Sequence, residues 1–428
     1  MKENSLLRHI ADLRKRLPFP PPGLRLRAAL ARIRSRRNVL FLYQSYYHFW
    51  YLAKALRRRG WNAVVVNQEP PDGGNAAYYH GEDISCFGLD PEDTYLPRRL
   101  LQAWALRVFN FVHIAGDGCL SFFPEHFGWG PDLAPDLQRW KKTGKKIGYT
   151  ISGCLSGVTQ SEYAAWSAGD RGVPACSRCR WRDVPEVCSD AKSQGFAAQI
   201  RHCDLICAET MPALGGLARP QTVFDPLTMC LDPDIWSPDL SIPPEHRLDR
   251  AQGEFLILHA MSNYTERTRA DKVNIKGTPA IEAAVERLRG EGEKASLVFV
   301  TAKTNLDLRY YQLQCDLIVD QLNLGCYGAI AREGMMLGRP VICRINPDPG
   351  LPGFARTYQA ELPLISADEE TIYDVLKFYL HHRELLPAIG AAGRAYALKW
   401  HSAEACAARY EKVYDAVMAG RNPAEVAG

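Results

Sequence analysis

The stretch from Asp316 to Ile345, DLIVDQLNLGCYGAIAREGMMLGRPVICRI, constrains this chain more than any other. It reads as strand, glycine-bearing loop, short helix, Gly-Arg-Pro turn and strand, one turn of a parallel α/β fold. A strand that runs through a glycine loop into a helix aims the first N–H groups of that helix at the strand's carboxyl end. Those groups have no partner within the helix. Gly325 and Gly328 free the loop backbone, the helix begins near Ala329, and Glu333 lies one turn in. Its carboxylate can accept two hydrogen bonds from a vicinal diol. The layout suits a ligand that is phosphorylated and rich in hydroxyls.

The same alternation runs through most of the chain. From Asn38, NVLFLYQ reads as a buried strand, HFWYLAKALRRRG as an amphipathic helix ending on Gly60, and WNAVVVNQ as the next strand. FNFVHIAG, KKIGYTIS, HCDLICAE and TVFDPL continue the set, which predicts a parallel sheet. LDPDIWSPDLSIPPEHR has no period and reads as a connection between domains. A second run starts at EFLILHAM and continues through TPAIEAAVERLRGEG, ASLVFVTA, LRYYQLQ and the Asp316–Ile345 unit. Helices near Glu369–His381, Leu385–Ala397 and Ser402–Ala419 follow. The expected architecture is α/β, two Rossmann-like doubly wound domains facing across a cleft. The first spans 38–235, with a cysteine-containing insertion at about 152–200. A linker at 236–252 leads to the second, 253–400, and the helix and tail of 401–428 pack near the junction. A chain of 428 residues fits this plan at roughly 150 residues per domain. In such domains ligands sit at the carboxyl ends of the strands.

Charge is unevenly spread. The chain is +4 overall, yet residues 1–37 hold eleven Lys and Arg against Glu3 and Asp12, so the remainder is mildly acidic. SLLRHIADLRKRL and LRLRAALARIRSRR read as amphipathic helices split by PFPPPG, with Leu6, Leu7, Ile10, Leu13 and Leu17 on one face. Two readings stand: a helix packed on the domain, or a helix lying on anionic lipid with its arginines at the headgroups. No run approaches the roughly 20 apolar residues that span a bilayer, and no signal-type apolar core opens the chain. The expected location is cytoplasmic, at the inner face of the cell membrane if the extension meets lipid. Nothing in the charge pattern or motifs points to nucleic acid.

A second constellation precedes the first. In NIKGTPAIEAAVERLRGEG, Lys276 and Gly277 stand before a helix with Thr278 as N-cap and Pro279 at the first helical position. A cation there opposes the helix dipole, which makes sense if an anion lies between the two. The alternative is a solvated loop lysine. Arg267, Arg269 and Lys272 in the loop before it favour a diphosphate.

With LILHAMSN, IKGTPAIEAAV, GCYGAIARE and LGRPVICRI in order, residues 255–345 resemble the retaining glycosyltransferases of family 4, which have the two-domain GT-B fold. The first half is similar only in architecture and at scattered positions. The resemblance implies that Lys276 binds the diphosphate of a nucleotide-diphosphate sugar and Glu333 its ribose. It further implies that His259, Gly277, Tyr327, Gly328 and Ala329 line the donor, and that no catalytic metal is used. The chain departs from the family pattern in places. Gly325 stands where the family carries a glutamate that contacts the donor sugar, and Asp320 and Gln321 just upstream are candidates to replace it. Of a His-x-His strand end only His113 remains, with Asp117 following. QSYYHFWY, with aromatic faces and His48, replaces a glycine-rich acceptor loop. His48, His113 and Asp117 are the expected acceptor side.

Thirteen cysteines are many for a cytoplasmic chain, and most fall in apolar strands or helices, where buried free thiols are the ordinary reading. Cys176 and Cys179 form a C-x2-C pair, with Cys188 and Cys154 to either side. Structural zinc, free thiols and a labile disulfide are the alternatives. There is no Ser-His-Asp arrangement, zinc-protease motif, phosphate loop of the Walker type or D-x-D pair.

The expected activity is sugar transfer from a nucleotide-diphosphate sugar to a saccharide or lipid-linked acceptor, with retention, in cell-surface glycan synthesis. The resemblance implies attack by the acceptor hydroxyl from the leaving-group side, its proton passing to a donor phosphate oxygen. A degenerate GT-B protein that binds nucleotide or glycan, or scaffolds a glycan-assembly complex, is the alternative. An epimerase of the same fold fits the Lys-Gly and Glu333 patterns less well.

Overall fold

A computed structural model describes residues 37–427 except 44–45, 69–75, 87–90, 116–119, 124–127, 129, 152–153, 155–157, 209–218, 225–229 and 348–352. The expected helices of the basic extension and the acceptor-side candidate Asp117 lie outside the described residues. Among the described residues no helix is long and apolar enough to cross a membrane.

The strands form two sheets. The first contains β1 (Asn38–Tyr43), β2 (Asn62–Asn67), β3 (Ile84–Ser85), β4 (Phe111–Ala115), β5 (Lys146–Ile151), β6 (Leu205–Ala208) and β7 (Thr222–Phe224). Their order is β3-β2-β1-β4-β5-β6-β7, every pair parallel. The second contains β8 (Phe255–Ala260), β9 (Ala295–Val300), β10 (Leu317–Val319) and β11 (Val341–Ile342), in the order β11-β10-β8-β9, again all parallel. Parallel pairing requires crossovers, and crossover helices cover both faces of a sheet. That is why these strands read as continuous apolar runs rather than alternations: Val39, Leu40, Phe41 and Leu42 are all fully buried.

In each sheet the strand order reverses once, between β1 and β4 and between β8 and β10. Neighbouring crossovers leave in opposite directions there and open a crevice at the carboxyl ends. Helix His48–Arg58 leaves the first crevice and buries Phe49, Leu52, Ala53 and Leu56 at helical spacing. It stops where the N–H of Gly60 bonds to Arg57 O (3.0 Å) and that of Trp61 to Leu56 O (3.0 Å), closing the carbonyls of its last turn. Helices Gln160–Ala168 and Asp190–Ile200 escape the sequence reading because they are rich in Ala, Ser and Gln and present no strong apolar stripe.

The aperiodic stretch at 236–252 is anchored at its start rather than loose. Trp236 is fully buried, stacked on His80 at 5.5 Å and packed on Tyr47 and Tyr51 at 5.1 and 5.7 Å. A large aromatic buries enough area to tie such a segment down without secondary structure. Nearby the chain crosses itself: Leu231 N–H bonds to His401 O (2.8 Å) and Ala403 N–H to Leu231 O (2.7 Å). The last long helix, Ala403–Met418, then returns to pack on helix His48–Arg58.

Candidate functional site

The crevice of the second sheet lies between the ends of β8 and β10. Lys276 reaches it from the loop before helix Thr278–Gly290. Its Nζ donates to Ala260 O (3.1 Å), the last residue of β8, and to Asp320 Oδ1 (2.9 Å), the first residue after β10. Asp320 Oδ2 accepts from the N–H of Gly328 (2.8 Å), the N-cap of helix Ala329–Met336. One carboxylate thus joins the lysine to the amide at the head of the second helix. Asp320 is fully buried and Lys276 nearly so. Either charge alone would be costly there, and pairing with supporting hydrogen bonds makes the burial tolerable. Lys276 spends two of its three N–H donors in this way.

The loop is held by Asn274. Its Oδ1 accepts from the backbone N–H of Lys276 (3.1 Å) and of Thr278 (3.2 Å). The expected N-cap, Thr278, is instead the first helical residue; Gly277 is the cap, with φ +78°. A side chain at Gly277 would also crowd Leu322 Cβ at 3.0 Å. The Thr278 hydroxyl turns to His259 Nε2 (2.9 Å), while His259 Nδ1 donates to Val319 O (2.9 Å). Burial first, then the nearby lysine, lowers the pKa of His259 to about 4. This histidine, expected as a donor contact, is a neutral strut between β8, β10 and the lysine loop, with both nitrogens already used.

Glu333 is fully buried. Its Oε1 accepts from the Tyr47 hydroxyl (2.8 Å) and from Asn305 Nδ2 (3.2 Å), whereas Oε2 has no partner among the described residues. Desolvation, opposed by these hydrogen bonds, raises its pKa to about 7. Tyr47 comes from the loop after β1, so the carboxylate is contacted across the cleft. Asn305 opens helix Asn305–Gln314 after β9. Sequence reading missed both residues; the aromatic run QSYYHFWY was the only sign of Tyr47.

Several expected contacts are placed otherwise. The Tyr327 hydroxyl bonds to His401 Nε2 (3.0 Å) and its ring lies under the Arg332 guanidinium, so it faces helix Leu386–His401. Asp320 is committed to Lys276 and Gly328, and Gln321 donates its side-chain N–H to Cys326 O. Both side chains are thus engaged with protein groups around the loop that holds Gly325. Gly325 has φ +83°, and a Cβ there would stand 2.4 Å from Asn346 Nδ2. The carboxamide of Asn346 therefore fills the space next to this glycine, and its Nδ2 donates to Trp166 O (2.9 Å). Ala329 begins the helix beside Gly328.

Of the loop cations, Arg269 pairs with Asp271 and donates to Ser177 O (2.9 Å). Arg267 is half-buried and Lys272 exposed, the latter with φ 65°. Ser177 belongs to the insertion, which rests on the second domain through further pairs: Arg178 with Glu369 (2.9 Å) and Arg171 with Glu370 (2.8 Å) and Asp368 (3.3 Å). Arg344 is buried and donates to the carbonyls of Ser167, Ala168 and Asn323.

On the opposite side, His48 is buried with neither ring nitrogen partnered among the described residues. Burial and then Arg332 lower its pKa to about 3. His113 is not a cleft residue. It is fully buried, with Nδ1 bonded to the Tyr414 hydroxyl (2.5 Å) and Nε2 to Thr150 Oγ1 (2.9 Å), so no nitrogen is left for an acceptor.

The cysteines do not fit a zinc centre. Cys176, Cys179 and Cys188 form no disulfide, and among the described residues no group of three or more His, Cys, Asp or Glu side chains is arranged to hold a metal. Cys188 Sγ accepts from Gln160 Nε2 (3.3 Å) and Cys179 Sγ from Trp181 N–H (3.4 Å). Burial first, then the neighbouring thiols of Cys179 and Cys188, raises the thiol pKa of Cys176 to about 11, and burial first, then Cys179, raises that of Cys188 above its usual value.

Two parallel Rossmann-like domains with facing crevices make the GT-B architecture, and solved structures share it. A sucrose-phosphate synthase from Thermosynechococcus elongatus superposes with a TM-score of 0.57 at 14% identity, over 90% of this chain and 100% of its own. Anabaena HepE, solved with UDP, gives 0.51 at 11% identity, over 89% and 100%. WaaG, a glycosyltransferase involved in lipopolysaccharide biosynthesis, gives 0.50 at 14% identity, over 86% and 98%. No protein-family model matches the sequence, and no curated protein matches it.

Proposed function

We propose that this protein transfers a sugar from a nucleotide-diphosphate sugar to a saccharide or lipid-linked acceptor, with retention of configuration, in cell-surface glycan synthesis. The observation that carries the reading is the convergence of Lys276 and the Gly328 N–H on one buried carboxylate, with the unpartnered Glu333 Oε2 one turn along the same helix. A lysine beside a helix N-terminus suits an oxyanion, and a buried carboxylate oxygen lacking a donor suits a hydroxyl. A nucleoside diphosphate carries both. HepE, which shares the fold, was solved with UDP and with UDP-glucose.

In this reading the bond from the anomeric carbon to the β-phosphate oxygen breaks and the acceptor oxygen bonds to the same face of that carbon. The acceptor proton passes to the departing phosphate oxygen. The third N–H of Lys276 and the first-turn amides of helix Ala329–Met336 would stabilise the charge on the diphosphate, with Arg267 and Lys272 at the loop and no enzyme nucleophile. Residues 1–37 would hold the enzyme at the cytoplasmic face of an anionic membrane, near a lipid-linked acceptor.

Gly325 and Asn346 favour one further reading, a degenerate GT-B protein that binds the nucleotide without turnover. The test is release of nucleoside diphosphate from a panel of uridine, guanosine and adenosine diphosphate sugars. Transferase predicts release with at least one donor, falling at least a hundredfold in the Lys276→Ala/Asp320→Asn double variant. Binding without release by the wild type favours the degenerate protein, and neither binding nor release would remove both readings.

A further inference from the structure

The polar contacts around Glu333 continue beyond it into the first domain. His80 Nε2 lies 2.6 Å from Asn305 Oδ1, and the Tyr51 hydroxyl lies 2.6 Å from His80 Nδ1. Asn305 uses its Nδ2 on Glu333, so its oxygen faces His80 and must accept. His80 therefore donates from Nε2 and accepts the Tyr51 hydroxyl at Nδ1, which fixes one neutral tautomer. Its ring is clamped by Trp236, stacked at 16°. Tyr47, next to this ring at 4.9 Å, donates to the same Glu333 oxygen that Asn305 holds. Both lone pairs of Oε1 are thereby occupied, and both lone pairs of Oε2 are left.

We propose that Tyr47 and His80 are positioning residues for nucleotide recognition: acting across the cleft, they fix Glu333 so that Oε2 alone faces the ribose hydroxyls. The inference rests on the sugar-nucleotide reading and adds to it a role for the first domain. Ribose recognition becomes conditional on cleft closure, because Tyr47, which donates to the carboxylate directly, and His80, which fixes Asn305 behind it, belong to the opposite domain. With Tyr47 silent, Asn305 alone holds Oε1, and the carboxylate offers the ribose a less fixed acceptor.

The experiment compares a ribonucleoside diphosphate with its 2′,3′-dideoxy counterpart by calorimetric titration, using the best-bound of UDP, GDP and ADP. The wild type is expected to favour the ribonucleotide. Tyr47→Phe and His80→Phe, which leave an aromatic ring at each position but remove the hydrogen bonds, are expected to lower that ratio roughly tenfold while dideoxynucleotide affinity stays constant. Melting without ligand checks that each variant is folded. An unchanged ratio in both folded variants, or tighter ribonucleotide binding in Tyr47→Phe, overturns the inference alone. Failure of the wild type to bind any of the three, or to prefer ribose, overturns the sugar-nucleotide reading itself.

Discussion

Lys276 and Asp320 form a salt bridge of 2.9 Å at the end of β10, and the aspartate is wholly buried. The same carboxylate accepts the amide that heads the next helix. Lysine, carboxylate and helix N-terminus are one unit, so changing one member alters the others.

Removing the lysine alone strands a buried charge. Lys276→Ala is expected to lower stability by about 3–5 kcal/mol, the usual cost of leaving one partner of a buried pair. The Lys276→Ala/Asp320→Asn double variant is expected to recover most of that loss. Urea unfolding of the three proteins measures it; an undiminished single variant would show that the pair is not buried in solution.

Glu333 links stability to pH. Its folded pKa, about 7, lies above its ordinary value of 4.5, so the folded state holds the proton longer than the unfolded chain. Its contribution is present in full below pH 4.5 and is lost as pH rises to about 7. The size is on the order of 3 kcal/mol. Glu333→Gln is expected to flatten the fall in unfolding midpoint between pH 4.5 and 7. A slope identical to the wild type's would assign the effect to another group.

Gly325 admits no side chain without cost. Its φ of +83° and the Asn346 carboxamide at 2.4 Å from a would-be Cβ act together. Gly325→Ala is expected to destabilise by about 1–3 kcal/mol, from the left-handed backbone and the contact. Adding Asn346→Gly is expected to relieve the contact part only. Denaturant midpoints of the single and double variants decide this; equal values would leave the backbone as the sole cause.

The insertion is held by unequal contacts. Arg344 is buried and serves three carbonyls, two of them in the last turn of helix Gln160–Ala168. Arg344→Ala is expected to cost about 2 kcal/mol and to increase proteolysis at 160–188. Arg178 pairs with Glu369 where both are partly exposed, so Arg178→Ala is expected to cost under about 1 kcal/mol and to lose its effect in high salt. Limited proteolysis with chemical unfolding separates the two; equal losses would contradict the ranking.

The sequence by itself determined the parallel strands, because burial on both faces writes itself as unbroken apolar runs such as Val39–Leu42. It also marked Lys276, Gly277, Gly328 and Glu333, since lysine loop, glycine loop and helix head are each built from neighbours in the chain. Only the tertiary structure decided their partners. Tyr47 and Glu333 are 286 residues apart, His80 and Asn305 are 225, and His113 and Tyr414 are 301. No local period records which side chains meet when two domains and a returning helix pack together. The fold therefore turned His113 into a core residue, His259 into a strut and Asp320 into the counter-ion of a lysine. It also brought Tyr47, on which sequence alone conferred no role, to the carboxylate at the centre of the cleft.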